Sequence, residues 1–233
     1  MATRLTSFSK TRVSILQFPG SNCDDDCRKA LSKYFQIETS YVWHTETNLP
    51  PSDAVVIPGG FSYGDYLRSG ALASHSPILQ ALKSYVSRGG AVMGICNGFQ
   101  ILTESRLLPG VLLKNDHGKF VCQQQTLKAV AGSFWKPEAL QSSVRFEIPI
   151  AHGDGRYFLP QAERTQLWEN GQVAFVYEGA NPNGSDDAIA GITDQSGKVL
   201  GMMPHPERAM NAQLTGSSSD GLGIWTYFLE RNL

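Results

Sequence analysis

The sequence has no excess of either charge: 20 Lys and Arg stand against 21 Asp and Glu, a formal net charge of −1. Such a balance gives no electrostatic pull toward nucleic acid or an anionic membrane, so a small molecule or a protein is the expected partner. No apolar run approaches the ~18 residues that a membrane-spanning helix needs. The chain has only 4 cysteines. Cys23, Cys27, Cys96 and Cys122 show neither CxxC pairs nor the density of a secreted disulfide scaffold, which points to a reducing cytoplasm. Cys23 and Cys27, four apart on one helical face, lack the further ligands of a zinc site and read as packing residues. Neither GxxxxGK[ST] nor GxGxxG is present, and Asp24 to Asp26 occupy the helix start that a bound phosphate would use.

What remains is an ordinary globular composition, 41% hydrophobic and 18% charged over 233 residues, long enough to bury a full core without disulfides or metal. Met1 to Arg12 carries Arg4, Lys10 and Arg12, no acid and no apolar segment. It reads as a disordered extension, with residues 13–233 as a single domain.

Val13 to Phe18 is a short apolar strand followed by a Pro-Gly turn and a helical stretch from Asp24 to Tyr34. Ile37 to Trp43, Ala54 to Ile57 and Ala91 to Ile95 read as further strands, with a helix over Ile78 to Val86. This alternation indicates an α/β fold with a parallel sheet covered on both faces, whose ligands gather at the carboxyl ends of the strands. Beyond about Asn115 the pattern changes. Phe120 to Leu127, Val144 to Ile150, Val173 to Tyr177 and Ala188 to Ile192 look like strands with no long helices between them, which predicts antiparallel extensions of the same sheet. Val199 to Met203 is one more strand, and Leu222 to Leu229 a closing helix.

Two motifs carry chemistry. Gly94-Ile95-Cys96-Asn97-Gly98 sits where a strand turns into a helix, the position of a nucleophile elbow. Flanking glycines suit it because side chains there would strike the neighbouring strand and helix. A helix start also favours a thiolate, and the Asn97 amide N–H faces a developing oxyanion. A buried structural cysteine fits the same five residues. The glycine turn Pro58-Gly59-Gly60-Phe61, after an earlier strand, tips the balance by offering another backbone donor to the same oxyanion.

A cysteine nucleophile also needs an imidazole and a group that orients it. In Pro204-His205-Pro206-Glu207 the extended backbone before proline projects His205 and Glu207 to the same side, at the end of a strand. His152-Gly153-Asp154 has the same spacing but lies among glycines, which suits a binding or interface loop better than a catalytic pair. His44, His75 and His117 have no acid in comparable register.

GICNG followed far downstream by PHPE resembles the triad-type, class I glutamine amidotransferases. QFPGSNCDDD, the HTE at His44 to Glu46, IPGGFSYGDYLRSGA, GICNGFQIL, KFVC, HGDGRY, NPNGS and MPHPER, spread from Val13 to the end, narrow the resemblance to the glutaminase subunits of phosphoribosylformylglycinamidine synthase. The resemblance implies a flavodoxin-like three-layer fold, its mostly parallel central sheet extended by antiparallel strands. It implies Cys96, His205 and Glu207 as the triad and an oxyanion hole at the amides of Gly60, Phe61 and Asn97. Glutamine contacts are implied from Gly59, Gln100 and the backbone of Lys119, Phe120 and Val121, with His152, Asp154 and Arg156 on a partner or tunnel loop. The implied partners are L-glutamine and a large synthetase subunit, with or without a third small subunit. This chain would hold no metal or cofactor, ATP and Mg being used by the synthetase. Two features depart from the family pattern: the N-terminal extension, and Asp154 where many relatives have Glu. Read without the resemblance, elbow and triad also fit a free-standing cysteine hydrolase, such as a γ-glutamyl hydrolase or peptidase, or a silent flavodoxin-like binding module.

Overall fold

The computed structural model describes residues 8, 10–65, 70–133, 144–215 and 218–233. In chain order its elements begin with β1 (Arg12–Gln17), α1 (Asp24–Lys29), β2 (Glu38–Trp43), β3 (Ala54–Ile57), α2 (Ile78–Ser87), β4 (Ala91–Ile95), α3 (Asn97–Glu104) and β5 (Val111–Leu113). They continue through β6 (Val121–Ala129), β7 (Arg145–His152), β8 (Arg156–Phe158), α4 (Gln161–Glu169), β9 (Val173–Tyr177), β10 (Ile189–Thr193), β11 (Val199–Met202), α5 (Ala212–Thr215) and α6 (Gly221–Asn232).

Every residue of β3, β4 and β11 is buried, which is why these strands are continuously apolar: helices cover a parallel sheet on both faces. The sheet runs β2-β1-β3-β4-β11-β10-β9-β6-β7. From β2 to β11 neighbouring strands are parallel; from β11 outward to β7 they are antiparallel. The expected mixed architecture is therefore present, with the change of direction at β11, next to the strand that carries the elbow. One buried apolar cluster includes residues from β1 through α6.

Three features differ from the sequence reading. The first helix continues through Ala30–Tyr34 as a π-helical turn rather than as one α-helix. α4 stands between strands where no long helix was expected: among its side chains only Leu167 is buried, so hydrophobic periodicity does not announce it. It is fastened instead by Arg164, which pairs with Asp186 at 2.6 Å and Asp187 at 2.9 Å. The third is a small antiparallel pair, β5 with β8, whose three-residue strands carry almost no pattern. Of the expected N-terminal extension, residues 1–7 and 9 lie outside the described residues. Phe8 packs edge-on against Phe35, ring centres 6.2 Å apart, and Arg12 already pairs with Glu38 in the sheet.

Candidate active site

Cys96 follows β4 and opens α3 with φ 51° and ψ −106°. A positive φ at a residue with a side chain is strained, and such strain is characteristic of functional turns. Its neighbours show why the motif is glycine-rich: a Cβ on Gly98 would lie 2.0 Å from the Ile57 carbonyl oxygen, and one on Gly94 2.7 Å from the Gly98 oxygen. Both collisions involve backbone. Gly98→Ala is therefore expected to destabilise the fold by about 3 kcal/mol or more, since β3 and α3 must move apart to admit a methyl group. A chemical denaturation midpoint close to wild type would contradict that packing.

The Cys96 amide donates to the Met202 carbonyl at 2.8 Å, extending the β4–β11 pairing to the elbow itself. PHPE begins two residues further on, so parallel pairing delivers His205 to Cys96. The two side chains meet over Gly59, where a built Cβ would fall 2.8 Å from His205 Cε1 and 3.4 Å from Cys96 Cβ. The missing side chain leaves room for thiol and imidazole to meet.

His205 is 2% exposed and Glu207 5%. His205 Nδ1 donates to Glu207 Oε1 at 2.7 Å, leaving Nε2 unpartnered among the described residues. Burial opposes a charge on the ring, but the Glu207 carboxylate, and then Cys96, outweigh it and raise the histidine well above its ordinary range. The arrangement thus stabilises an imidazolium beside the thiol, as thiolate chemistry requires. The Cys96 sulfur also lies 3.7 Å from the Ala151 carbonyl, which brings the end of β7 to the site.

The expected oxyanion donors separate. The Phe61 amide is occupied, donating to the Gly20 carbonyl at 2.9 Å across the Ser21–Gly60 bridge. That leaves Gly60 and Asn97, the latter at the first helical position, where an amide has no partner within its own helix. The Asn97 side chain joins the two turns by accepting from the Ser62 amide at 3.3 Å. Gln100 is 4% exposed; it accepts from Asn97 Nδ2 at 2.8 Å and donates to the Asp154 carbonyl at 2.7 Å. Any contact it makes with glutamine shares an amide that already ties the HGDGR loop to α3. Lys119 and Phe120 lead into β6, where Val121 pairs with His152 and Cys122 with Ala151, so this backbone flanks the thiol's neighbour. The Phe120 ring is exposed and lies 6.3 Å from that of Phe61.

His152 is held in one tautomer. Asn115 Oδ1 accepts from the Gly155 amide and faces His152 Nδ1 at 3.1 Å, while its Nδ2 donates to the Lys119 and His152 carbonyls. Nδ1 of His152 must therefore carry the proton, and Nε2 is a buried lone pair without a donor. Burial, then the charge on His205, push this histidine down to about 4. Arg156 lies in β8, opposite Leu113. Asn115, which the sequence reading did not single out, and Cys23, which it read as a packing residue, belong to the site's surroundings through contacts with residues distant in the chain.

A strained cysteine elbow facing a buried histidine–carboxylate pair, on a sheet that changes direction beside it, is the architecture of a cysteine-dependent amidotransferase. The family model for the CobB/CobQ-like glutamine amidotransferase domain matches residues 10–221. The phosphoribosylformylglycinamidine synthase subunit PurQ of a Nostoc species is 46% identical over 94% of this chain and 97% of its own length. Its counterpart from a Synechococcus species is 46% identical over 93% of this chain and 96% of its own. Among solved structures, a chain of PurLQS from Thermotoga maritima superposes with a TM-score of 0.84 at 40% identity, covering 95% of this chain and 98% of that one. A glutamine amidotransferase from the same organism, at 16% identity and a TM-score of 0.62 over 95% of this chain and 97% of its own, shares the fold. The chain belongs to the PurQ family of glutamine amidotransferases.

Proposed function

We propose that this chain is the glutamine-hydrolysing subunit of phosphoribosylformylglycinamidine synthase, with Cys96 as nucleophile, His205 as proton carrier and Glu207 as its orienting carboxylate. The observation that carries the chemistry is the meeting of the strained thiol and the carboxylate-bound imidazole over Gly59. The thiolate attacks the side-chain amide carbon of glutamine, and the carbonyl oxygen becomes an oxyanion facing the amides of Gly60 and Asn97. His205 gives its proton to the departing nitrogen, which leaves as ammonia. The neutral ring then takes a proton from the water that attacks the thioester, releasing glutamate and the thiol. The backbone of Lys119, Phe120 and Val121, with Gly59, would hold the substrate.

The ammonia passes to a large synthetase subunit, with or without a third small one, which spends ATP with Mg to convert formylglycinamide ribonucleotide to formylglycinamidine ribonucleotide. No cofactor is needed on this chain for the hydrolytic half-reaction. We assign it to the cytoplasm, where purine synthesis and its four free cysteines both belong. No helix among the described residues is long and apolar enough to cross a membrane.

The β7–β8 connection, with His152 ending one strand, Asp154 in the turn and Arg156 opening the next strand, we assign to the ammonia's way out. A buried lone pair on His152 accepts a hydrogen bond from ammonia, and a ring so hard to protonate does not convert it to ammonium. His152→Phe is expected to leave glutamine hydrolysis within a few-fold of wild type while the acceptor is amidated less per glutamine consumed, measured as the ratio of the two products. A ratio unchanged by the substitution would remove the loop from the route.

The deciding experiment compares glutamine hydrolysis by the chain alone and mixed with the large synthetase. Strong stimulation by the synthetase is expected. Full activity without it would point to a free-standing hydrolase instead.

A further inference from the structure

Cys23 stands immediately before α1, at the opposite end of the sequence from the histidine–carboxylate pair, yet it is drawn into the same cluster. A Cβ on Gly59 would lie 3.1 Å from its sulfur, beside the contacts with His205 and Cys96 already described. One ligand atom each from Cys23, His205 and Glu207 lies within 4.8 Å of the other two, and all three residues are buried. The Cys23 thiol donates to Asn22 Oδ1 at 3.2 Å, and its sulfur accepts from Arg208 Nη2 at 3.1 Å.

We propose that Cys23, His205 and Glu207 form a binding site for a thiophilic dication such as zinc, and that its occupancy silences the glutaminase. The donor set selects the metal: one sulfur, one imidazole nitrogen and one carboxylate oxygen suit zinc, whereas calcium and magnesium need several oxygens. Tetrahedral zinc sets such ligand atoms roughly 3.3–3.6 Å apart, so the metal takes the place of the proton between His205 Nδ1 and Glu207 Oε1, now 2.7 Å apart, and parts them slightly. Charge favours occupancy once the thiol ionises, because a thiolate and a carboxylate neutralise a dication in a buried site. Arg208 opposes a bare cation there, but its N–H group hydrogen-bonds the metal-bound thiolate as an outer-shell donor. Binding therefore displaces the proton of the Cys23 thiol. An open cavity of about 560 Å³, walled by Asp26 but also by Lys29, Lys33 and Arg208, adjoins the cluster at Glu207, whose side chain stays buried.

The inhibition rests on His205 being the proton carrier: a ring with zinc on the nitrogen that faces Glu207 keeps a proton on Nε2 and can accept no second one, so the imidazolium no longer forms. Zinc chloride should inhibit glutamine hydrolysis by the synthetase complex reversibly, with activity restored by a chelator. Cys23→Ser keeps the size and the hydrogen bonds of the side chain without its soft sulfur. It should retain basal hydrolysis and lose sensitivity to zinc by at least about tenfold. Direct binding, followed by competition with a chromophoric chelator, should persist in Cys96→Ala and disappear when Cys23→Ser is added. Equal zinc sensitivity in Cys23→Ser, or binding that is lost with Cys96 alone, would overturn the proposal, because the metal would then merely cap the nucleophile. Binding through Cys23 that leaves hydrolysis untouched would uphold the metal site and overturn instead the role given to His205.

Discussion

Cys96→Ala is expected to lower glutamine hydrolysis by roughly 10⁶-fold, to the level at which only the remaining site polarises the amide. The expectation follows from the geometry of the elbow. Cys96 alone projects from a positive-φ turn over Gly59. Neither neighbouring thiol can replace it: Cys27 is wholly buried, and the Cys23 sulfur already bonds Asn22 and Arg208. Fold and assembly should be unaffected, because the substitution removes one sulfur from a turn whose backbone bonds are to Met202, Phe99 and Gln100. The complex with the synthetase should therefore still amidate its acceptor when ammonium salts replace glutamine. Loss of glutamine-dependent and ammonia-dependent synthesis together would mean that the mutation had damaged the assembly, and the assignment of Cys96 would lose its support.

Glu207→Gln is the second large effect, about 10⁴-fold in the rate of hydrolysis by analogy with other oriented histidines. A glutamine side chain can offer its N–H to the ring where the carboxylate accepts, which favours the wrong tautomer. It also removes the negative charge that, against the opposing effect of burial, contributes most to raising His205. The sign is as follows. The carboxylate stabilises the imidazolium, so without it the ring loses its proton at lower pH. Hydrolysis that depends on the imidazolium beside the thiolate should then decline earlier as pH rises. The alkaline limb of the pH–rate profile is expected to move toward lower pH in Glu207→Gln. A limb that stays in place, with only the height of the profile reduced, would confine Glu207 to a steric role.

Several elements were legible because one physical cause dominates each. Ala54 to Ile57, Ala91 to Ile95 and Val173 to Tyr177 were read with the bounds the structure has; each is a short apolar run, followed by Pro58, by the Cys96 turn and by Glu178 in turn. The His205–Glu207 contact was legible for the same reason: Pro on both sides of the histidine leaves the backbone little choice. What escaped the reading depends on contacts between distant residues. α4 is nearly polar all round and relies on Arg164 reaching Asp186 and Asp187. The Phe61 amide looked available as an oxyanion donor, and only the bridge to Ser21 shows that Gly20 has taken it. Cys23 read as a packing residue because its helix offers no further ligands; the ones it meets come from the far end of the chain. The Asn115 clamp that fixes the tautomer of His152 is likewise written nowhere in the local sequence.

The hydrogen bond from the His205 amide to the Pro149 carbonyl, 2.9 Å long, joins the loop after a central strand to the strand at the far edge of the sheet. Two residues along that strand, the Ala151 carbonyl rests against the nucleophile's sulfur. The border of the sheet thus holds both side chains by its backbone, and a substitution that displaces β7 is expected to disturb His205 and the surroundings of the Cys96 sulfur together.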